Sequence, residues 1–175
     1  MLKDINSLRS PDPYYSGAAG CIGSTLEQLH QDMSKLRLPE YVPESVRRCH
    51  DGLRNAYIYS YFSYDLLTLA ASQTFPCLEL ALRLRIGKQF EGRVDRKGKA
   101  RPPAMLGELL EAAKTQGLIS GDINGINQMR KMFAHGRDTV LNPPMFLAPF
   151  HVVTLMIAEL FHSQRRGLGR SMTAR

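Results

Sequence analysis

A chain of 175 residues is long enough for one domain with a buried core, and its ordinary apolar content argues against wholesale disorder. It carries 23 Lys and Arg against 16 Asp and Glu, a formal charge of +7, which favours an anionic partner such as nucleic acid or nucleotide. Three cysteines, Cys21, Cys49 and Cys77, lie far apart without a CxxC pair, so neither a zinc site nor a disulfide framework is expected, and a reducing, cytoplasmic compartment is.

Residues 1–23, rich in Pro, Gly and Ser, read as an irregular arm, and the opening MLKDINSLRS has no apolar run, so no signal peptide is expected. A helix is predicted to start after Ser24 or Thr25, with Glu27 in its first turn, and to end before Pro39. Pro43 and Glu44 open the next, in which Val46, Cys49, Leu53, Ala56 and Tyr57 follow helical spacing. His50, after Arg47 and Arg48, reads as part of its solvated face. Tyr57, Tyr59 and Tyr61 alternate as in a strand, but no second strand pattern exists to pair with them. A bend between two helices is the better reading.

From about Phe62 to Gly87 the pattern is apolar nearly all round, as in the middle helix of a bundle, with a kink expected at Pro76. A basic loop follows, over 88–103. Helix signals return at Ala104, with Met105, Leu109, Ala112 and Ala113 as a stripe, Gly117 as the residue after the cap and Leu118 folding back. Asp122 is a plausible N-cap for a helix that buries Ile126, Met129 and Phe133. After Asn142 and Pro143–Pro144, a last helix runs to about His162, its start left open by Pro149. Its run MFLAPFHVVTLMIAELF is short for a membrane span, which needs about 20 apolar residues, and contains Pro149, His151 and Glu159. It reads as a core helix, and no membrane is expected. The chain is therefore expected to be all-α: a helical bundle of four core helices plus an N-terminal helix, with one domain over 24–163 and a basic tail over 164–175.

The positive charge is concentrated. Residues 83–101 hold eight bases, Arg83, Arg85, Lys88, Arg93, Arg96, Lys97, Lys99 and Arg101, against Glu91 and Asp95, a net of +6. Such a stretch is either a solvated loop or a phosphate-facing surface, and the latter is the reading preferred here. Arg165, Arg166, Arg170 and Arg175 add to the tail.

NQMRKMFAHGRD, residues 127–138, ends a helix at Gly136 with Arg130 and His135 near its last turn. The negative end of the helix dipole favours the protonated imidazole. Five residues at about 100° each set the two side chains about 140° apart on a regular helix. They converge only if the helix breaks or two chains face each other. On the residues alone the pair reads as a surface arginine and a C-capping histidine.

RKMFAHG resembles the R-x4-6-H motif of the HEPN family (higher eukaryotes and prokaryotes nucleotide-binding domain). TFPCLELALRLRIG is similar to that family's central helix, and MLGELLEAAKTQGLISGDINGINQMRKMFAHG to its helix pair leading into the motif. The likeness covers roughly Val46 to Phe161. It implies a compact helical bundle, commonly a homodimer, and for many members a metal-independent ribonuclease of toxin–antitoxin or defence systems. An antitoxin or other partner protein goes with that reading. Other members are non-catalytic nucleotide-binding or scaffold modules. By motif position Arg130 would hold the scissile phosphate and His135 would act as acid or base on the ribose 2′-hydroxyl. One departure is Lys131, where active members usually carry Asn, Asp or His; a lysine cannot accept a hydrogen bond. Glu79, four residues before Arg83, either pairs with it or orients Arg130 or His135.

A rival constellation is the two E-x-x-H pairs, Glu27–His30 and Glu159–His162, which with Glu79 and Glu108 or Glu111 would make a di-iron site. His151 and His162, eleven residues apart, are separated by about 16 Å along a helix and cannot share a metal. No P-loop, G-x-G-x-x-G after a strand, G-x-S-x-G or H-E-x-x-H occurs, and no cofactor is expected.

Overall fold

A computed structural model describes residues 3–16, 24–134 and 141–171. Among them are seven α-helices and no strand: α1 (Pro13–Ser16), α2 (Leu26–Ser34), α3 (Glu44–Tyr59), α4 (Asp65–Ile86), α5 (Leu106–Thr115), α6 (Ile123–Ala134) and α7 (Pro143–Ser171). The chain is all-α. Helix α4 packs against α3, α5, α6 and α7.

Local chemistry sets several helix ends. Thr25 caps α2, its hydroxyl accepting from the Gln28 amide at 3.2 Å. Asp122 caps α6 by accepting from Asn124 and Gly125, each at 3.0 Å. Asn142 caps α7 by accepting from Met145 at 2.9 Å, and Pro143 takes the first helical position, where no N–H is needed. Helix α5 ends as its sequence predicts. Gly117 adopts φ of 65°, the Leu118 amide donates to Ala113 O and the Gly117 amide to Lys114 O, both at 2.9 Å.

The core joins α3 to α7. Val46, His50, Leu53 and Tyr57 form the buried edge of α3; Phe146, Phe150, Val153, Ile157, Leu160 and Phe161 form that of α7. Their rings stack in a run: His50 on Phe150 with centroids 4.7 Å apart, Phe150 on Phe146 at 5.1 Å, and Phe146 on Tyr57 at 5.1 Å. Phe133 of α6 lies 6.5 Å from Phe146 and 5.9 Å from Phe75 of α4, so one aromatic cluster holds four helices. Pro143–His162 is long and apolar enough to cross a membrane by length and composition, and half of its apolar window is buried within the protein.

Several expectations need correction. Helix α4 is not apolar all round: Asp65, Thr68, Leu69, Ser72, Gln73 and Pro76 make one exposed stripe. Pro76 lies inside α4 as expected, on that exposed stripe, where water can serve the carbonyl its missing N–H leaves unpaired. On α5 the buried residues are Leu106, Leu109, Leu110 and Ala113, and Met105 is 65 % exposed at the cap. Helix α7 continues past His162 to Ser171, because no proline follows and a helical glycine costs only about 1 kcal/mol.

Residues 3–16 of the arm are docked onto the bend between α3 and α4. The Asp12 amide donates to Tyr61 O at 2.8 Å, and the Asp12 carboxylate accepts from the Tyr64 amide at 3.0 Å. Tyr15 OH and Ser60 Oγ are 2.6 Å apart in the interior, and Tyr14 stacks on Tyr64 at 4.0 Å. The tyrosine-rich stretch is thus a bend whose rings serve the core (Tyr57) and the arm (Tyr61, Tyr64).

His50 is not solvated; it is fully buried. Thr154 donates its hydroxyl proton to Phe150 O at 2.8 Å, so its oxygen accepts from His50 Nε2–H, also at 2.8 Å. That leaves Nδ1 bare and without a partner among the described residues. Burial, with Arg54 nearby, lowers the His50 pKa from 6.5 to about 4. The unfolded chain therefore binds the extra proton first. The contribution is complete above about pH 6.5 and is lost as pH falls toward about 4, by up to about 3 kcal/mol. Urea unfolding between pH 7 and pH 4 should show this decline, and His50→Leu should flatten that part of the profile. An equally steep profile in the variant would assign the titration to other groups.

Candidate nucleic-acid interface

The basic segment is a hairpin held by its own turn chemistry. Asp95 and Gly98 occupy the first and fourth positions of a tight turn in which the Gly98 amide donates to Asp95 O at 3.0 Å. The Asp95 carboxylate accepts from the Lys97 amide at 2.8 Å and the Lys99 amide at 2.9 Å. Gly98 has φ of 74°, a conformation side chains resist. The Asp95 amide donates to Lys99 O at 2.8 Å, the Arg101 amide to Arg93 O at 2.9 Å, and Val94 bridges Ala100 antiparallel.

The eight cations divide into two groups. Arg83, Arg85 and Arg93 are committed within the chain. Arg83 pairs with Glu79 at 2.6 Å and donates to Ala104 O at 2.8 Å, fastening the returning strand of the loop to α4. Arg85 donates to Leu160 O at 2.9 Å, linking α4 to α7. Arg93 lies over the Phe90 ring, 5.0 Å from its centroid, with Glu108 at 3.5 Å. Lys88, Arg96, Lys97, Lys99 and Arg101 are exposed, and none forms an ion pair among the described residues. Arg83 and Arg93 position the loop and Arg85 ties α4 to α7; the five remaining cations face solvent.

Where the loop meets α4 there is a cavity of about 530 Å³ lined by Leu84, Phe90 and Pro103 together with Arg83, Lys88 and Arg101. Sequence reasoning treated this stretch as charge alone and passed over the apolar residues. The available signal was Phe90, an aromatic residue within a charged run.

Arg130 and Lys131 are both exposed on α6, and neither has a hydrogen bond or ion pair among the described residues. Helix α6 is oriented by Ile123 and Ile126, which are buried, and by Phe133 in the aromatic cluster. His135 lies outside the described residues, as does Gly136. Glu79 spends its carboxylate on Arg83, donated to by both Nε at 3.0 Å and Nη2 at 2.6 Å.

No group of three or more His, Cys, Asp and Glu that could hold a metal forms among the described residues. Glu27 and His30 are exposed on α2. Glu159 instead accepts from the Ser120 amide at 3.1 Å and the Ser120 hydroxyl at 2.6 Å, holding the entry to α6, and His162 lies edge-on to Tyr41. The di-iron arrangement is not built from these residues. Cys77 is buried in α4, and burial beside the Cys49 thiol pushes its own thiol up, which makes it inert.

Compared with protein-family models, curated proteins and solved structures, the chain matches none.

The hairpin turn is testable independently of any ligand. Asp95→Ala removes the acceptor for two amides, so hydrogen exchange at Lys97 and Lys99 should quicken several-fold. Exchange in α3, α4 and α7 should stay as in the wild type. Unchanged exchange at the tip would show that the carboxylate does not hold the turn.

Proposed function

We propose that this chain is an RNA-binding helical protein whose basic hairpin makes the first contact, and that Arg130 and His135 form a HEPN-like, metal-independent ribonucleolytic site. The observation that carries the binding is the hairpin itself. A self-braced turn holds Arg96, Lys97, Lys99 and Arg101 outward with no carboxylate partner among the described residues. Cations so placed gain more from phosphates than from water, because binding releases counterions. Support for the chemistry is the likeness of RKMFAHG to the R-x4-6-H motif, together with the exposure of Arg130.

In the mechanism this implies, Arg130 neutralises the developing charge on the scissile phosphate. His135 moves the proton of the attacking 2′-hydroxyl or of the leaving 5′-oxygen, producing a 2′,3′-cyclic phosphate. A homodimer would bring two motifs to one cleft. The second reading is a non-catalytic interaction or nucleotide-binding module, and Lys131 favours it. An ammonium at that position binds phosphate but accepts no hydrogen bond that would orient His135 or Arg130.

Purified protein incubated with RNA in EDTA, beside His135→Ala, tests the chemistry. Cleavage by the wild type alone, leaving 2′,3′-cyclic phosphate ends, is expected of the ribonuclease; binding without cleavage selects the module. The triple variant Arg96→Glu, Lys97→Glu, Lys99→Glu should weaken RNA binding at least about tenfold at low salt, with a shallower salt dependence. Unaltered affinity would remove the hairpin from the interface. Sedimentation at micromolar concentration should show a dimer, and a monomer would defeat the shared-cleft arrangement.

A further inference from the structure

The cavity beneath the hairpin differs in kind from the tip. Charge alone would suffice at the tip, where the side chains meet open solvent and any phosphate backbone would satisfy them. At the cavity the lining is mixed. Leu84 is 52 % exposed on the last turn of α4 and lines the cavity. Phe90 and Pro103 continue the apolar lining, and Lys88 and Arg101, both free of ion pairs among the described residues, stand beside it. Glu91 also lines it, an acceptor for an amino or imino hydrogen and a poor neighbour for a bare phosphate.

Resting on the RNA-binding reading, we propose that this cavity seats an unstacked nucleobase, with Lys88 and Arg101 on the flanking phosphates. The ligand is then a single strand. In a duplex the base faces are stacked on one another and only the backbone is presented, so the tip could bind it but the cavity could not. A single strand offers both the flat apolar face of a base and the adjoining phosphate, which is the combination this lining matches. The cavity is also built to persist. Arg83 ties Ala104 to α4, Arg93 lies over the Phe90 ring, and Gln116 of the α5 end donates to Gln89 at 2.8 Å. It is a preformed site rather than one a ligand must assemble.

The test is fluorescence anisotropy with a labelled 12-nucleotide single-stranded RNA and with a duplex of the same length, at one salt concentration, for wild type, Leu84→Glu and Arg96→Glu. The wild type should bind the single strand at least about tenfold more tightly, the scale of one stacked base. Leu84→Glu alters an exposed position, so folding should survive, as circular dichroism would verify. It should erase most of that preference, weakening the single strand by a larger factor than the duplex, which loses only what an added carboxylate costs any phosphate backbone. Arg96→Glu should weaken both ligands by similar factors and keep their ratio. A duplex bound as tightly as the single strand, or a ratio unaffected by Leu84→Glu, would overturn the cavity assignment while sparing the RNA-binding reading. Binding of neither RNA would overturn both. Competition by uridine monophosphate at concentrations comparable with the oligonucleotide would also overturn the assignment, since it would make a free nucleotide the ligand.

Discussion

Leu67, Ala70, Ala71, Phe75, Cys77, Leu78, Ala81 and Leu82 leave α4 in several directions and are all buried, so this helix cannot be solvated unless other helices enclose it. Helices α3, α5, α6 and α7 do so, leaving one polar stripe through Thr68, Ser72 and Gln73. At about 25 cal/mol per Å² of apolar surface, this burial is the largest favourable term available to the fold. Where α4 runs also decides where the basic loop leaves the bundle, because the loop begins at its C-terminal end. Arg83, on the last turn of α4, and Arg93, within the loop, fix that exit.

The division of the cations is a matter of geometry and cost. An exposed Arg83–Glu79 pair is worth only about 0.3–0.5 kcal/mol as a helical i,i+4 contact. Its value here is positional, since the same guanidinium reaches Ala104 O and sets the return of the hairpin. Asp95 works in the same way: it is an acid in a basic stretch, yet its carboxylate faces two main-chain amides rather than a lysine. The cations of the tip are therefore left without a direct ion pair among the described residues. The placement of α6 depends on different contacts, through the Asp122 cap, the Ser120–Glu159 link and Phe133.

Much of this was legible in the order of residues, and the failures have identifiable causes. The Schellman ending at Gly117, the caps at Thr25 and Asp122, and the bend at 60–64 follow from local turn and capping chemistry, which acts within a few residues. His50 reads as solvated because two arginines precede it, yet it is four residues after Val46 and three before Leu53, in the buried register of α3. Period outranks the character of chain neighbours on a helix. Residues 1–23 read as an irregular arm, because the docking of 3–16 through Asp12 and Tyr15 depends on partners about fifty residues away. Glu79 had two open readings; its carboxylate is taken by Arg83, the partner one helical turn along. The basic stretch announced its charge and hid its cavity, since Leu84 and Pro103 are neighbours only after the hairpin folds back.

Composition, spacing and turn residues were enough to settle that the chain is helical, where most helices start and stop, and where its positive charge is concentrated. These are local properties, governed by dihedral preference, capping and the 3.6-residue repeat. Which cations remain free, which histidine is buried and neutral, and which apolar residues line a cavity beside Lys88 and Arg101 were decided by packing. Those outcomes depend on carbonyls and rings brought from distant parts of the chain, Leu160 to Arg85, Thr154 to His50, Ala104 to Arg83, and no local pattern encodes them.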